Sequence, residues 1–168
     1  MLKPEYIEET YRKLGGEGLL LVSRSKAKRR PNAMTIGWAF LGRFWDEPFF
    51  VVAVRKSRYT HRCIEETGDF TVNVPGRGME GALRFCGSHS GRDHDKFKEA
   101  GIRSGKAKKV SSPVVLGSSI VYECRVAYKA NIAPKSLPKS VLNGIYPDRD
   151  FHTLYFGEVV ACYRGPRA

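Results

Sequence analysis

The sequence predicts a mainly β chain with short helices, its six or so strands antiparallel and closed, or nearly closed, into a small barrel. Three observations carry this. Seventeen glycines and nine prolines among 168 residues imply many turns and short connections. Short apolar runs bounded by such turn residues recur along the chain, and closure is how a set of strands like this avoids exposed edges. Between Ser118 and Ala130 the alternation is long and regular, with Ile120, Tyr122, Cys124, Val126 and Tyr128 pointing one way and Glu123, Arg125 and Lys129 the other.

In chain order, Pro4 to Leu14 reads as a short helix. Pro4 suits a first helical position, Glu5, Glu8 and Glu9 suit the positive end, and Gly15-Gly16 stops it. Gly18 to Ser23 is a strand. A basic link, Arg24 to Pro31, leads to a second strand from Ala33 to Leu41, and Phe49 to Val54 makes a third. Ser57 to Thr67 has helical character, with Ser57 as the expected N-cap, Tyr59, Cys63 and Ile64 on one face, and Gly68 ending it. Phe70 to Val74 is a strand closed by Pro75-Gly76. Met79 to Cys86 and Asp95 to Ala100 read as short helices, and Phe151 to Tyr163 as the closing strand. Gly101 to Pro113 and Ala133 to Asp150 read as loops, the second carrying three prolines. No repeat or linker divides the chain, so residues 1–168 are expected to form one domain.

Composition narrows the function classes. Hydrophobic residues at 42% and charged residues at 27% exclude a wholly disordered chain. No apolar run, Gly18 to Val22 and Phe49 to Val54 included, approaches the ~18 to 20 residues of a membrane-spanning helix, and the N-terminus lacks a signal-peptide pattern. A cytoplasmic location, without a membrane partner, is the expectation. Four scattered cysteines, with no Cys-x-x-Cys pair, suit small buried side chains in a reducing compartment. The formal charge of +12 favours an anionic partner: nucleic acid, a membrane surface or a phosphorylated small molecule. Charge alone does not choose among them.

Four stretches carry candidate chemistry. Asn32-Ala-Met34-Thr35-Ile-Gly-Trp38 is either a hairpin exit into a core strand or the edge of a site. In the second case Asn32 and Thr35 bond a flat polar heterocycle and Trp38 walls it. Arg55-Lys-Ser57-Arg58-Tyr-Thr60-His61 joins a strand to a helix and places hydroxyls and cations at a helix N-terminus. That suits a phosphate monoester, against the alternative of a solvated basic turn. In Cys86 to Phe97, the spacing of Cys86, His89 and His94 is irregular and lacks a fourth ligand, so no metal site is expected. That stretch is instead a polar loop with Asp93 or Asp95 as a helix cap, or a second wall for a ligand with Lys96 as a charged donor. His152 opens the last strand, and Gly157 within it marks a bulge or a close backbone approach. No Ser-His-Asp order, Walker loop, GxGxxG or paired-carboxylate arrangement makes a convincing catalytic or nucleotide-binding motif.

Taken in order, these stretches resemble the flavin reductase-like family, with the flavoredoxin-like branch the most similar. Asn32-Ala-Met-Thr35 with Trp38, Arg55-Lys-Ser57-Arg58-Tyr-Thr60, Thr67-Gly-Asp-Phe70-Thr-Val-Asn73-Val, Ser90-Gly-Arg-Asp93-His-Asp-Lys96-Phe97 and His152-Thr-Leu-Tyr-Phe-Gly157-Glu-Val159 carry the likeness across roughly residues 18 to 160. The resemblance implies a six-stranded antiparallel split β-barrel of Greek-key type that binds FMN and pairs as a homodimer. It places Asn32, Met34, Thr35 and Trp38 along the isoalloxazine, and Arg55, Ser57, Arg58 and Thr60 at the phosphate or ribityl end. Ser90 and Lys96 make further cofactor contacts, and His152 sits near the reactive face as the catalytic-side residue, its charge varying near neutral pH. The implied activity moves electrons from NADH or NADPH through FMN to free flavin or an electron-acceptor protein. A non-enzymatic FMN electron carrier shares every one of these residues. A basic nucleic-acid-binding barrel is the third reading; it needs exposed aromatics between cations, which Tyr59 and the clusters at Arg24–Arg30 and Arg103–Lys109 permit without requiring. Two regions depart from the resemblance and border the expected substrate entrance. The loop from Ile132 to Asp150 is longer and richer in proline, and the chain stops soon after its last strand.

Overall fold

The computed structural model describes residues 2–167. Helix α1 (Pro4–Gly15) precedes a hairpin of β1 (Leu19–Ser25) and β2 (Arg30–Ile36), and a second hairpin of β3 (Ala39–Phe44) and β4 (Glu47–Arg55) follows. Helix α2 (Tyr59–Thr67) leads to β5 (Asp69–Val74), then α3 (Glu80–Ser88) and α4 (Lys96–Glu99). A two-residue pair, β6 (Ser104–Gly105) with β7 (Val114–Val115), precedes β8 (Ile120–Asn131), α5 (Lys139–Gly144) and β9 (His152–Arg164).

The main sheet has seven strands, not six, in the order β2-β1-β5-β8-β9-β4-β3, every neighbouring pair antiparallel. The extra strand comes from the stretch read as one strand from Ala33 to Leu41, which breaks at Gly37-Trp38 into β2 and β3. These two strands are consecutive in the chain yet lie on opposite edges of the sheet. Two residues cannot bridge a flat seven-stranded sheet, whose strands sit ~4.8 Å apart, so the sheet curls until its edges meet at that corner. The Trp38 carbonyl accepts the Ala53 N–H there at 3.2 Å and holds the corner against β4.

Burial drives the curl. Leu19, Leu21, Phe50, Val52, Phe70, Val72, Tyr122 and Tyr155 face inward and are almost wholly buried. β9 is the spine, pairing with β8 on one side and β4 on the other. Two register shifts along β8–β9, at Glu123/Cys124 and Val126/Tyr128, bend the ribbon as a small barrel requires. Gly157 lies at the second, and a methyl group there would strike the Phe70 ring and come within 2.8 Å of the Cys124 Cβ.

Other expectations change in tertiary context. Ser57 is not the cap of α2; Arg58 holds that position without a side-chain bond, while Gly68 ends the helix in the left-handed conformation as expected. Asp95 does cap α4, accepting the Lys98 N–H at 3.3 Å. Glu123, on the polar side of the alternation, is fully buried because the loop at 101–113 folds over it. Its carboxylate accepts the backbone N–H groups of Lys108 and Lys109 at 2.8 and 2.6 Å. Asp69 anchors the same loop through Ser111 and Ser112. The 132–150 loop holds α5 and a short 3-10 turn at Pro134–Ser136. Among the described residues no helix is long and apolar enough to cross a membrane.

The close approach at Gly157 gives a test of the core. Gly157→Ala is predicted to cost about 1 to 3 kcal/mol through overpacking against Phe70 and Cys124. Urea unfolding is the check, and an unchanged midpoint would contradict the assigned packing.

Candidate functional site

The curl brings the C-terminal end of β2, the Gly37-Trp38 corner, the end of β4 and the start of β9 to one place. Register does the rest: His152 pairs across the ladder with Arg55. Two adjoining basins result. One, of about 230 Å³, is lined by Met34, Trp38, Arg55, Arg58 and His152 among others; its neighbour, of about 90 Å³, takes in Ser57, Thr60, Ser90, Arg92 and Lys96. They share Met34, Arg58 and Gly87 and so form one groove. Ten of the eleven residues named from sequence line it; Asn32 is the exception.

Asn32 is buried behind the wall and donates from Nδ2 to Thr60 Oγ1 at 2.8 Å. Its Oδ1 has no partner among the described residues and faces Gly91, where any Cβ would collide with it. Thr35 donates its hydroxyl to the Leu83 carbonyl at 2.6 Å, pinning α3 to β2. Lys96 is 4% exposed, and its Nζ donates to the Cys86 carbonyl at 2.8 Å with no carboxylate paired to it among the described residues. Burial lowers its pKa, and Arg58 pushes in the same direction. No carboxylate lines either basin, so the groove carries uncompensated positive charge at the end held by Arg58, Arg92 and Lys96.

The Arg55–Ser57 corner differs. Arg55 donates to the carbonyls of Ile145 and Asp150 at 2.9 and 3.2 Å, and its guanidinium lies 5.2 Å from the Tyr146 ring centroid. Ser57 gives its N–H and its hydroxyl to the Asp150 carboxylate at 3.2 and 2.5 Å. Residues 145–150 therefore form a strap tied down along one side of the groove. Tyr146, on this strap, is buried and shares a 2.8 Å hydrogen bond with His152 Nδ1.

His152 is 8% exposed, and its ring lies 4.9 Å from that of Trp38. Burial, followed by repulsion from Arg55, brings its pKa down to about 4. The expectation of a charge varying near neutral pH is therefore corrected: the imidazole is neutral there. Tyr146, Asp150, Arg92 and Gly91 are site residues that local sequence patterns missed. Tyr146 and Asp150 lie in a stretch read only as a loop, Arg92 and Gly91 lie in the stretch read as a polar loop or a second ligand wall, and what sets Gly91 apart is its close approach to Asn32 and Tyr59. Cys86 is buried at the groove, while His89 is exposed and stacks on Phe85 at 4.0 Å. Among the described residues no cluster of His, Cys, Asp and Glu is arranged to hold a metal.

The curled antiparallel sheet with short helices is the split-barrel fold of flavin reductase-like proteins. A model of the flavin reductase-like domain matches residues 16–168, and this chain belongs to that family. An uncharacterised protein of Archaeoglobus fulgidus is 30% identical over 136 residues, 81% of this chain and 67% of its own length. The uncharacterised Escherichia coli protein YddH is 31% identical over 112 residues, 66% of this chain and 59% of its own. Among solved structures, flavoredoxin of Desulfovibrio vulgaris matches with a TM-score of 0.69 and 25% identity, covering 87% of this chain and 68% of its own. Flavoredoxin from Methanosarcina acetivorans gives 0.68 and 27%, covering 87% and 67%. The chain thus spans 59 to 68% of these relatives' lengths.

The depressed pKa of His152 has a signed consequence. The unfolded chain binds this proton near pH 6.5 and the folded chain near 4, so the contribution is full above 6.5 and is lost as pH falls toward 4. His152→Gln is predicted to flatten the loss of stability between pH 6.5 and 4 relative to the parent. Urea unfolding at several pH values checks this, and parallel curves for the two proteins would refute it.

Proposed function

We propose that the groove binds FMN and that the protein is an oxidoreductase, moving electrons from NADH or NADPH through FMN to free flavin or an electron-acceptor protein. The observation that carries the reading is Lys96, a buried cation with no carboxylate partner among the described residues, facing the same groove as Trp38. A buried ammonium without a counter-charge costs several kcal/mol, which an anionic ligand group offsets. Lys96 uses one of its three hydrogens on Cys86. Arg58 makes no side-chain hydrogen bond or ion pair among the described residues, and Thr60 and Ser90 add hydroxyls. Asn32, behind the wall, supports the site indirectly by donating to Thr60 Oγ1. At the other end Met34, Thr35 and Trp38 offer a flat, half-apolar wall for an isoalloxazine. The residues fit the group.

When bound, FMN supplies the redox chemistry, accepting hydride from a nicotinamide and passing electrons on. The chain's share is to hold the phosphate at the Arg58, Thr60, Ser90 and Lys96 end, and to shield the ring with Trp38. His152 presents an uncharged polar group on the catalytic side. Arg55 and Ser57 contribute by tying the strap along the groove.

We also propose a homodimer and a cytoplasmic location. Trp38, Phe40, Phe44, Trp45 and Tyr128 are between 43 and 68% exposed and run along edge strand β3 and the neighbouring ribbon, a face suited to a second copy. Four free cysteines suit a reducing compartment.

Purified protein is expected to be yellow and to bind FMN one to one. Arg58→Ala is predicted to weaken FMN about 10- to 100-fold and riboflavin, which lacks the phosphate, no more than about threefold, since a charge-assisted bond contributes ~1.5 to 3 kcal/mol. Equal losses for the two ligands in fluorescence titrations would remove the phosphate assignment. Light scattering is expected to give twice the 18.9 kDa chain mass, with Phe40→Glu returning it to 18.9 kDa. A monomeric parent would end the dimer proposal.

A further inference from the structure

We infer that Tyr146 is a positioning residue: its hydroxyl on Nδ1 holds His152 in one neutral tautomer, with the N–H at Nε2 presented to the groove. The chemical role of that N–H rests on the FMN reading above; the tautomer itself does not.

The buried phenol has one side-chain partner among the described residues, His152 Nδ1, at 2.8 Å. A buried O–H needs an acceptor, and the Nδ1 lone pair is the acceptor the structure provides. The hydroxyl therefore donates, Nδ1 is unprotonated, and the neutral ring carries its hydrogen on Nε2. Nε2 makes no protein hydrogen bond among the described residues and is not one of the sealed, unpartnered atoms. Since His152 lines the larger basin, this N–H opens to the groove.

The strap gives the phenol a fixed position. Arg55 binds the carbonyls on both sides of Tyr146, at Ile145 and Asp150, and stacks over its ring. Ser57 binds the Asp150 carboxylate. Phe151 packs against the phenol with ring centroids 4.9 Å apart. The charged groups facing His152 are Arg55 and Arg58, which disfavour the imidazolium, and Asp150, which favours it; burial outweighs all three. Trp38 packs against the imidazole. The result is a rigid, uncharged donor, suited to a carbonyl, a carboxamide or a ring acceptor and not to proton abstraction.

Tyr146→Phe removes the hydroxyl and leaves the ring to pack on Phe151 and Arg55. Nitrogen-15 histidine spectra of the flavin-free protein report the tautomer directly, with His152→Gln identifying the resonance among the four histidines. The parent is expected to show one Nε2–H tautomer at pH 7, and Tyr146→Phe to show shifts averaged between the two tautomers. An unchanged Nε2–H pattern in Tyr146→Phe, or an Nδ1–H pattern in the parent, would overturn the inference. A flavin titration of the parent is run in parallel. Failure to bind FMN there with the tautomer shift intact would count against the FMN reading and leave the positioning role standing.

Discussion

Two residues, Gly37 and Trp38, separate strands that lie on opposite edges of a seven-stranded sheet, and the site follows from how the chain satisfies that constraint. The sheet must curl; curling brings the ends of β2, β4 and β9 together and leaves a seam that no ladder closes. Trp38 is at the seam, half-exposed, with its carbonyl bonded to Ala53 and its ring against His152. Met34 and Thr35 precede it on β2, while Arg55 and His152 are fixed by the β4–β9 register. A groove at this corner is thus a consequence of topology before any side chain is chosen. The side chains decide what enters it.

Buried charge makes that decision legible. Asp69 and Glu123 are also buried, but each is satisfied from within the chain. Asp69 takes N–H and hydroxyl groups from Ser111 and Ser112, and Glu123 takes two backbone N–H groups and the Tyr163 hydroxyl. Both act as clamps that press the basic 101–113 loop onto the sheet. Lys96 is different: one carbonyl is its sole hydrogen-bond partner among the described residues, and the charge beside it is Arg58. The buried carboxylates have their acceptors filled from within the chain, while the ammonium at the groove keeps hydrogens to spare.

Much of this was readable in the sequence wherever the signal was local. The strand character of β8, the turn after Val54 and the close approach at Gly157 each express themselves within a few residues, although the β8 alternation breaks at its register shifts, where Tyr128 turns outward. Lys96 entered as the charged donor of a dense polar stretch and through the family resemblance of that stretch. What failed was long-range. The break at Gly37-Trp38 is invisible in a continuous apolar run, because a strand that changes edges keeps its hydrophobicity. Glu123 occupies a polar position in its strand, and its burial depends on a loop some fifteen residues away. Tyr146 and Asp150 meet Arg55, Ser57 and His152 only because a proline-rich loop doubles back over β4. Its prolines marked it as irregular without saying where it lands. The charge state of His152 was misread for the same reason, since burial and Arg55 set it, and neither is a property of the strand in which the histidine lies.

The strap therefore gives the groove its polarity. Arg55 and Ser57 carry the donors that a local reading assigns to a phosphate, but Asp150 and the strap carbonyls already engage them. An anion approaching that corner would meet a carboxylate about a hydrogen bond from Ser57. At the Lys96 end it would meet three cations and no carboxylate lining the groove. The difference favours one orientation for any ligand with a flat body and an anionic tail, tail toward Lys96 and body toward Trp38. It also leaves that end of the groove beside an imidazole that stays neutral across the neutral range. Positive charge lines one end of the groove, and an uncharged imidazole lines the other. One loop with little regular structure enforces both.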